Sequence, residues 1–152
     1  MKKNIILSLF IVLSILLVTG CGNNKSSKNN NEVKLNNNSN EVISVKAIIN
    51  DKEYIINLED NETANSFVNI LPQELNMSEL NGNEKYIYLD NILPTNSYNP
   101  KRINAGDVML YGDNCLVIFY KSFDTSYSYT KIGHIDNLPN LGNSNITVKF
   151  EK

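Results

Sequence analysis

From residue 41 to the C-terminus, apolar side chains recur at every second position, and turn residues break the pattern every few positions. Ile43, Val45, Ala47 and Ile49 share one face of a first strand. Asn50-Asp51-Lys52 is turn chemistry, and Glu53 to Leu58 follows with Tyr54, Ile56 and Leu58 on one side. Together these predict a β-hairpin. The period then lengthens once. Ala64, Phe67, Val68 and Leu71 form an i, i+3, i+4, i+7 stripe, with Asp60 or Asn61 to cap the helix and Pro72 to stop it. After it, alternation resumes at Leu75 and Met77, turns at Asn81-Gly82, and continues from Glu84 to Leu89 around Tyr86 and Tyr88. Residues 91–104 carry Pro94, Pro100 and many Asn, and predict a long loop. Val108 to Tyr111, Cys115 to Tyr120, Lys131 to Ile135 and Ile146 to Phe150 complete the strands, with Gly112-Asp113-Asn114 as a turn. Many short strands and one helix predict a mainly β fold. A closed barrel with a helical cap suits them, because closure leaves no unpaired strand edge.

The first 40 residues follow another pattern. Lys2 and Lys3 precede an apolar run, Ile5 to Val18, broken only by Ser8 and Ser14. Its 14 residues are too few for a spanning helix, which needs about 20, and suit a signal peptide. The run ends in Leu17-Val18-Thr19-Gly20-Cys21, which resembles a bacterial lipobox. The resemblance implies cleavage before Cys21 and a diacylglyceryl group on its sulfur. A lipid-anchored protein on the extracytoplasmic face of the cell membrane is therefore expected, with membrane lipid as a partner through Cys21. Each buried methylene adds about 0.8 kcal/mol to such an anchor. Residues 22–40 contain nine Asn and only two apolar residues, Val33 and Leu35. They cannot offset their ordering entropy and read as a tether with a mean reach of roughly 25 Å. The expected organisation is a signal peptide at 1–20, lipidated Cys and tether at 21–40, and one domain at 41–152.

Composition narrows the chemistry. The 152 residues allow one domain, and 41% hydrophobic residues supply a core. A net charge of −2 lacks the basic footprint of a nucleic-acid binder. Two Cys and one His cannot build a Cys/His zinc cage. With Cys21 acylated, Cys115 has no disulfide partner, and in Cys-Leu-Val-Ile-Phe-Tyr it reads as a small buried hydrophobe. There is no Gly-rich phosphate loop, nucleophile elbow or His-Glu-x-x-His. Neither a metal nor a cofactor is expected. Asp107 and Asp113 flank a strand and read as turn residues.

Four stretches, in order, resemble the bacterial cyclophilin-like domain family. They are the hairpin and helix ending in Leu71-Pro72; Leu80-Asn81-Gly82-Asn83-Glu84-Lys85; Ile103 to Gly112 followed by Leu116 to Tyr120; and Tyr127 to Ile135. The resemblance spans about Val42 to Phe150 and implies a closed barrel of about eight strands with one or two short capping helices. Cyclophilins themselves are prolyl isomerases. Their Phe-His-Arg motif with the catalytic Arg is absent here, as is Trp. Arg102, the only Arg, stands in a loop that does not match that motif. No catalytic residue is assigned.

The segment from Lys121 to Lys131 holds Phe123, Tyr127 and Tyr129 among small hydroxyl residues. Rigid aromatics mixed with Ser and Thr suit recognition, since they offer contact area at low entropy cost. With Arg102, Tyr111, Phe119, Tyr120 and His134 they form a candidate ligand groove at the barrel mouth. The alternative is that the aromatics fill the barrel, Arg102 lies on the surface and His134 is structural. The expected function is a non-catalytic binding module for peptide segments or small ligands. A divergent prolyl isomerase or surface folding factor, or a purely structural envelope protein, are the alternatives.

Overall fold

The computed structural model describes residues 44–152. The signal segment 1–20, Cys21, the tether 22–40 and Ile43 lie outside the described residues.

The first hairpin joins β1 (Ser44–Ile49) to β2 (Lys52–Leu58) through Asn50 and Asp51, both at positive φ. Such a two-residue turn matches the twist of the strands it joins. Helix α1 (Glu62–Asn69) follows, capped by Asn61, whose side chain accepts from the Ala64 N–H at 2.8 Å. Its stripe of Ala64 and Phe67, continued by Leu71, is buried in the barrel core, where Phe67 meets Phe150 edge-on at 5.4 Å. Next come β3 (Gln73–Leu80) and β4 (Glu84–Tyr88), then β5 (Arg102–Ile103), β6 (Asp107–Tyr111), β7 (Cys115–Phe119), β8 (Phe123–Asp124), β9 (Thr130–Ile135) and β10 (Ile146–Glu151).

Eight of these strands close an antiparallel barrel in the order β1-β10-β3-β4-β7-β6-β9-β2. The expected mainly β barrel is therefore what the chain adopts, with one helix among the described residues. Its interior holds Val45, Ala47, Ile49, Ile56, Met77, Leu110, Leu116, Ile118, Ile132, Val148 and Phe150, all essentially inaccessible to water. Two glycines permit the tight approaches this closure needs. A Cβ on Gly106, at φ 98°, would collide with the Ile135 carbonyl oxygen. One on Gly133 would meet the Asn57 carbonyl oxygen at 2.5 Å, where β9 pairs with β2.

Residues 91–104, expected to be a loop, are not one throughout, and residues 121–131 supply their partners. β5 pairs with β8 as a separate two-stranded ribbon, and Tyr98 bridges Tyr129 through reciprocal 2.9 Å backbone bonds. Two segments far apart in sequence thus satisfy each other's backbone groups while burying Ile103 and half-burying Phe123.

Candidate functional site

β7 is apolar on both faces. Leu116 and Ile118 point into the barrel, and Cys115, Val117 and Phe119 point out of it, yet all five are buried. Met109 of β6 joins the outward set, together with Tyr129 and Ile103 from the covering segments. An aromatic chain runs across this outer layer. Phe123 packs on Phe119 at 5.6 Å, Phe119 on Tyr129 at 5.5 Å, Tyr129 on Tyr111 at 5.6 Å, and Tyr111 on Tyr127 at 6.1 Å. The last pair is edge-on, an arrangement that the ring quadrupoles favour.

Where the cover ends, the outer face opens into a cavity of about 310 Å³. Its walls are Glu84, Tyr86 and Tyr88 of β4, Tyr111 of β6, Cys115 and Val117 of β7, Tyr127 and Tyr129 of the segment after β8, and the Leu80-Asn81 turn. Five of the ten lining residues are tyrosines, so the surface is apolar in body with hydroxyls at its edges. Tyr86 and Tyr88 pack edge-on at 6.1 Å. Tyr88 and Tyr127 are both more than 60% exposed, which leaves ring area free for a ligand.

The electrostatics are lopsided. Burial, and secondarily the like charge of Glu79, push the Glu84 carboxyl up to about 7. Burial, with Glu84 adding to it, pushes the Cys115 thiol up to about 11. The Tyr129 phenol is likewise raised, chiefly by burial. Cys115 is thus a protonated thiol at neutral pH and a poor nucleophile. Among the described residues no three His, Cys, Asp or Glu side chains converge to hold a metal ion.

The nine residues singled out in the sequence go to different places. Tyr111, Tyr127 and Tyr129 line the cavity, with Phe119 and Phe123 packed behind them. These aromatics stand on the outside of the barrel wall, not inside it. Arg102 is 58% exposed on the β5–β8 ribbon and bonds Asp124 at 2.7 Å. Tyr120 packs with the interior cluster and donates its hydroxyl to Glu79 at 3.2 Å. His134 places Nδ1 3.0 Å from the buried Asp107, whose other oxygen accepts from the Asn104 N–H at 2.8 Å. Arg102, Tyr120 and His134 are not among the cavity's lining residues. Cys21 lies outside the described residues. Glu84, Tyr86 and Tyr88 are site residues that the sequence does not single out. Their signal was positional: they stand at i, i+2 and i+4 of one strand and so share its outer face.

A closed antiparallel barrel with a short helix packed into its core, and a ligand-sized cavity on its outer wall, defines the class of this protein. The chain belongs to the Cyclophilin-like family, whose model matches residues 47–151. No match was found among curated proteins or among solved structures.

Proposed function

We propose that this chain is a lipid-anchored extracytoplasmic lipoprotein, held to the membrane through Cys21, whose cyclophilin-like domain binds peptide segments or small ligands without catalysis. The observation that carries the binding reading is the open cavity on the outer face of β4, β6 and β7, walled by five tyrosines. Its volume falls at the lower end of the ligand-pocket range, about 300–1,000 Å³, and it combines apolar area with a few polar groups. The anchor reading rests on Leu17 to Cys21 at the end of an apolar run.

Two experiments test these readings. Full-length chain is purified from membranes in a nonionic detergent and screened against short synthetic peptides by tyrosine fluorescence and calorimetry. Saturable binding that Tyr127→Ala weakens is expected, together with no rate above background in a protease-coupled proline isomerisation assay. Isomerisation above background would replace the binding module with an enzyme. Mass spectrometry of the membrane fraction is expected to find an N-terminal diacylated Cys21. An uncleaved or unmodified Cys21 would remove the anchor.

A further inference from the structure

Within the cavity wall the charges do not balance. Glu84 is its only ionisable carboxylate, and no Lys or Arg lines it. Glu84 takes part in none of the ion pairs among the described residues. The neighbouring carboxylates are provided for. Glu79 accepts from the Gly82 N–H at 2.5 Å and from the Tyr120 hydroxyl, and Asp107 has His134 and the Asn104 N–H. A half-buried carboxylate without a cation is costly to ionise, and a protein tolerates one where a partner arrives from outside. Around it stand tyrosine rings, whose electron-rich faces attract ammonium groups within about 6 Å of the ring centre.

We infer that the cavity takes an organic ammonium group, its positive charge met by the Glu84 carboxylate and its methylenes or methyls packed against the rings of Tyr86, Tyr111 and Tyr127. This rests on the reading of the cavity as a binding site and names the chemical class of what enters it. An alkylammonium has two sources, a free small amine or the lysine side chain of a peptide, and the cavity chemistry is shared by both.

The groups facing Glu84 set how binding depends on pH. From β3 there is Glu79, a like charge that opposes ionisation. From β7 there is Cys115 and, just after it, Tyr120, both raised by burial and neutral near pH 7. Tyr129 behaves likewise, and the phenols of Tyr86, Tyr88, Tyr111 and Tyr127 complete the surround. Lys85, next in sequence, does not neutralise Glu84. It is fully buried on the opposite face of β4, donates to the Gly142 and Ser144 carbonyls at 2.6 and 2.7 Å, and lies 4.8 Å from the Tyr120 ring centre. Lys121 Nζ sits 5.7 Å from that same ring centre. With its carboxyl near 7 in the free protein, Glu84 must give up a proton to bind a cation at lower pH. Affinity therefore rises with pH up to about 7 and levels off above it.

The test is calorimetric titration of the full chain, in nonionic detergent and amine-free buffer, at pH 6 and pH 8, with tyrosine fluorescence as a second readout. The titrants are tetramethylammonium chloride, acetyl-Gly-Lys-Gly-amide, and the same peptide with norleucine in place of lysine. Tetramethylammonium carries no titratable proton, so its pH dependence reports the protein. Both cations are expected to bind roughly tenfold more tightly at pH 8 than at pH 6, the ratio of ionised Glu84 at the two pH values. Glu84→Gln, shown to be folded by its melting curve, is expected to weaken both by about tenfold or more at pH 8 and to flatten the pH dependence. A lysine peptide that binds at least about tenfold more tightly than tetramethylammonium identifies the peptide source. Parity between them identifies the free amine. If the norleucine peptide binds as tightly as the lysine peptide, with Tyr127→Ala weakening both, the cavity stands as a binding site and the ammonium inference is overturned. Unchanged cation affinity in Glu84→Gln overturns it as well. No saturable signal with any titrant overturns both the inference and the binding reading beneath it.

Discussion

The two faces of β7 make the same apolar wall with opposite consequences. Inward, Leu116 and Ile118 are fully buried in a core to which the other barrel strands and the helix also contribute. Outward, Cys115, Val117 and Phe119 are covered by the short β5–β8 ribbon, the segment that ends in Tyr129 and the Tyr86 side chain, and beyond that cover the surface falls into a cavity. The closed face supplies stability, and the partly covered face supplies a place to bind. A site set on strands that are locked from behind is held more rigidly than one built on loops. The largest expected effect separates the two faces. Phe150→Ala removes the edge-on partner of Phe67 inside the barrel and is expected to cost about 3–5 kcal/mol in urea unfolding. Tyr127→Ala, on the open face, should change stability by less than about 1 kcal/mol while weakening ligand binding. Equal losses would mean that the cavity wall is part of the core.

Lys85 sharpens the same contrast from within. It is a charged residue at an inward position of β4, and its ammonium ties down the 136–145 segment through the carbonyls of Gly142 and Ser144. Burial lowers its proton affinity, and Glu79 partly offsets that. Lys85→Met keeps the apolar stem but leaves two carbonyls without their donor, a loss of about 2 kcal/mol. Faster amide exchange across residues 142–146 should accompany it. Wild-type stability in this variant would mean that the segment holds itself.

Glu84, one residue earlier and facing outward, should behave in the reverse sense. Its carboxyl sits at about 7 in the folded chain against 4.5 for an unperturbed Glu, so between these values the folded state holds a proton that the unfolded state has released. Stability therefore falls as pH rises from about 4.5 to 7 and is flat outside that window for this group. Because the carboxyl is partly open to solvent, the drop is discounted to on the order of 1 kcal/mol. Glu84→Gln should raise stability at pH 8 by that amount and remove this pH dependence, as read from unfolding midpoints at pH 5 and pH 8. A stabilising substitution that also abolishes cation binding would mark Glu84 as a residue kept for function. A destabilising one would return it to the scaffold.

Much of the architecture was legible in the sequence because its signals are local. Val45, Ala47 and Ile49 alternate as a half-buried strand must, Asn50-Asp51 and Asn81-Gly82 supply the positive φ that their hairpins need, and Asn61 caps the helical stripe. The continuous run from Cys115 to Phe119 also carried its message, since a strand buried on both faces loses alternation. What covers its second face was not legible. The β5–β8 pairing and the Tyr98–Tyr129 bridge join segments whose sequences read as loop, and their partners are chosen by the barrel beneath them. The aromatics of residues 123–129 were recognisable as a group, but not which side of the wall they would take. Glu84 was hidden for a related reason. A single Glu in an alternating strand looks like solvent-facing polarity until the Tyr111 and Tyr127 rings close over that side.

The smallest expected effect concerns Arg102, the only arginine in the chain. It belongs to the cover and not to the cavity, and its guanidinium pairs with Asp124, which is itself 82% exposed. Exposed pairs of this kind contribute about 0–1 kcal/mol, because water screens the attraction and two long side chains must be held in place. Arg102→Ala should therefore shift the unfolding midpoint by no more than about 0.5 kcal/mol and leave ligand affinity at both pH 6 and pH 8 unchanged. The paired measurement is informative because the β5–β8 ribbon, through Phe123, covers Phe119, which packs on Tyr129. If binding weakens while stability holds, the ribbon must move when a ligand enters, and the cover is part of the site. If neither changes, the ribbon is a fixed roof, and recognition resides in the tyrosines and Glu84 at the open edge.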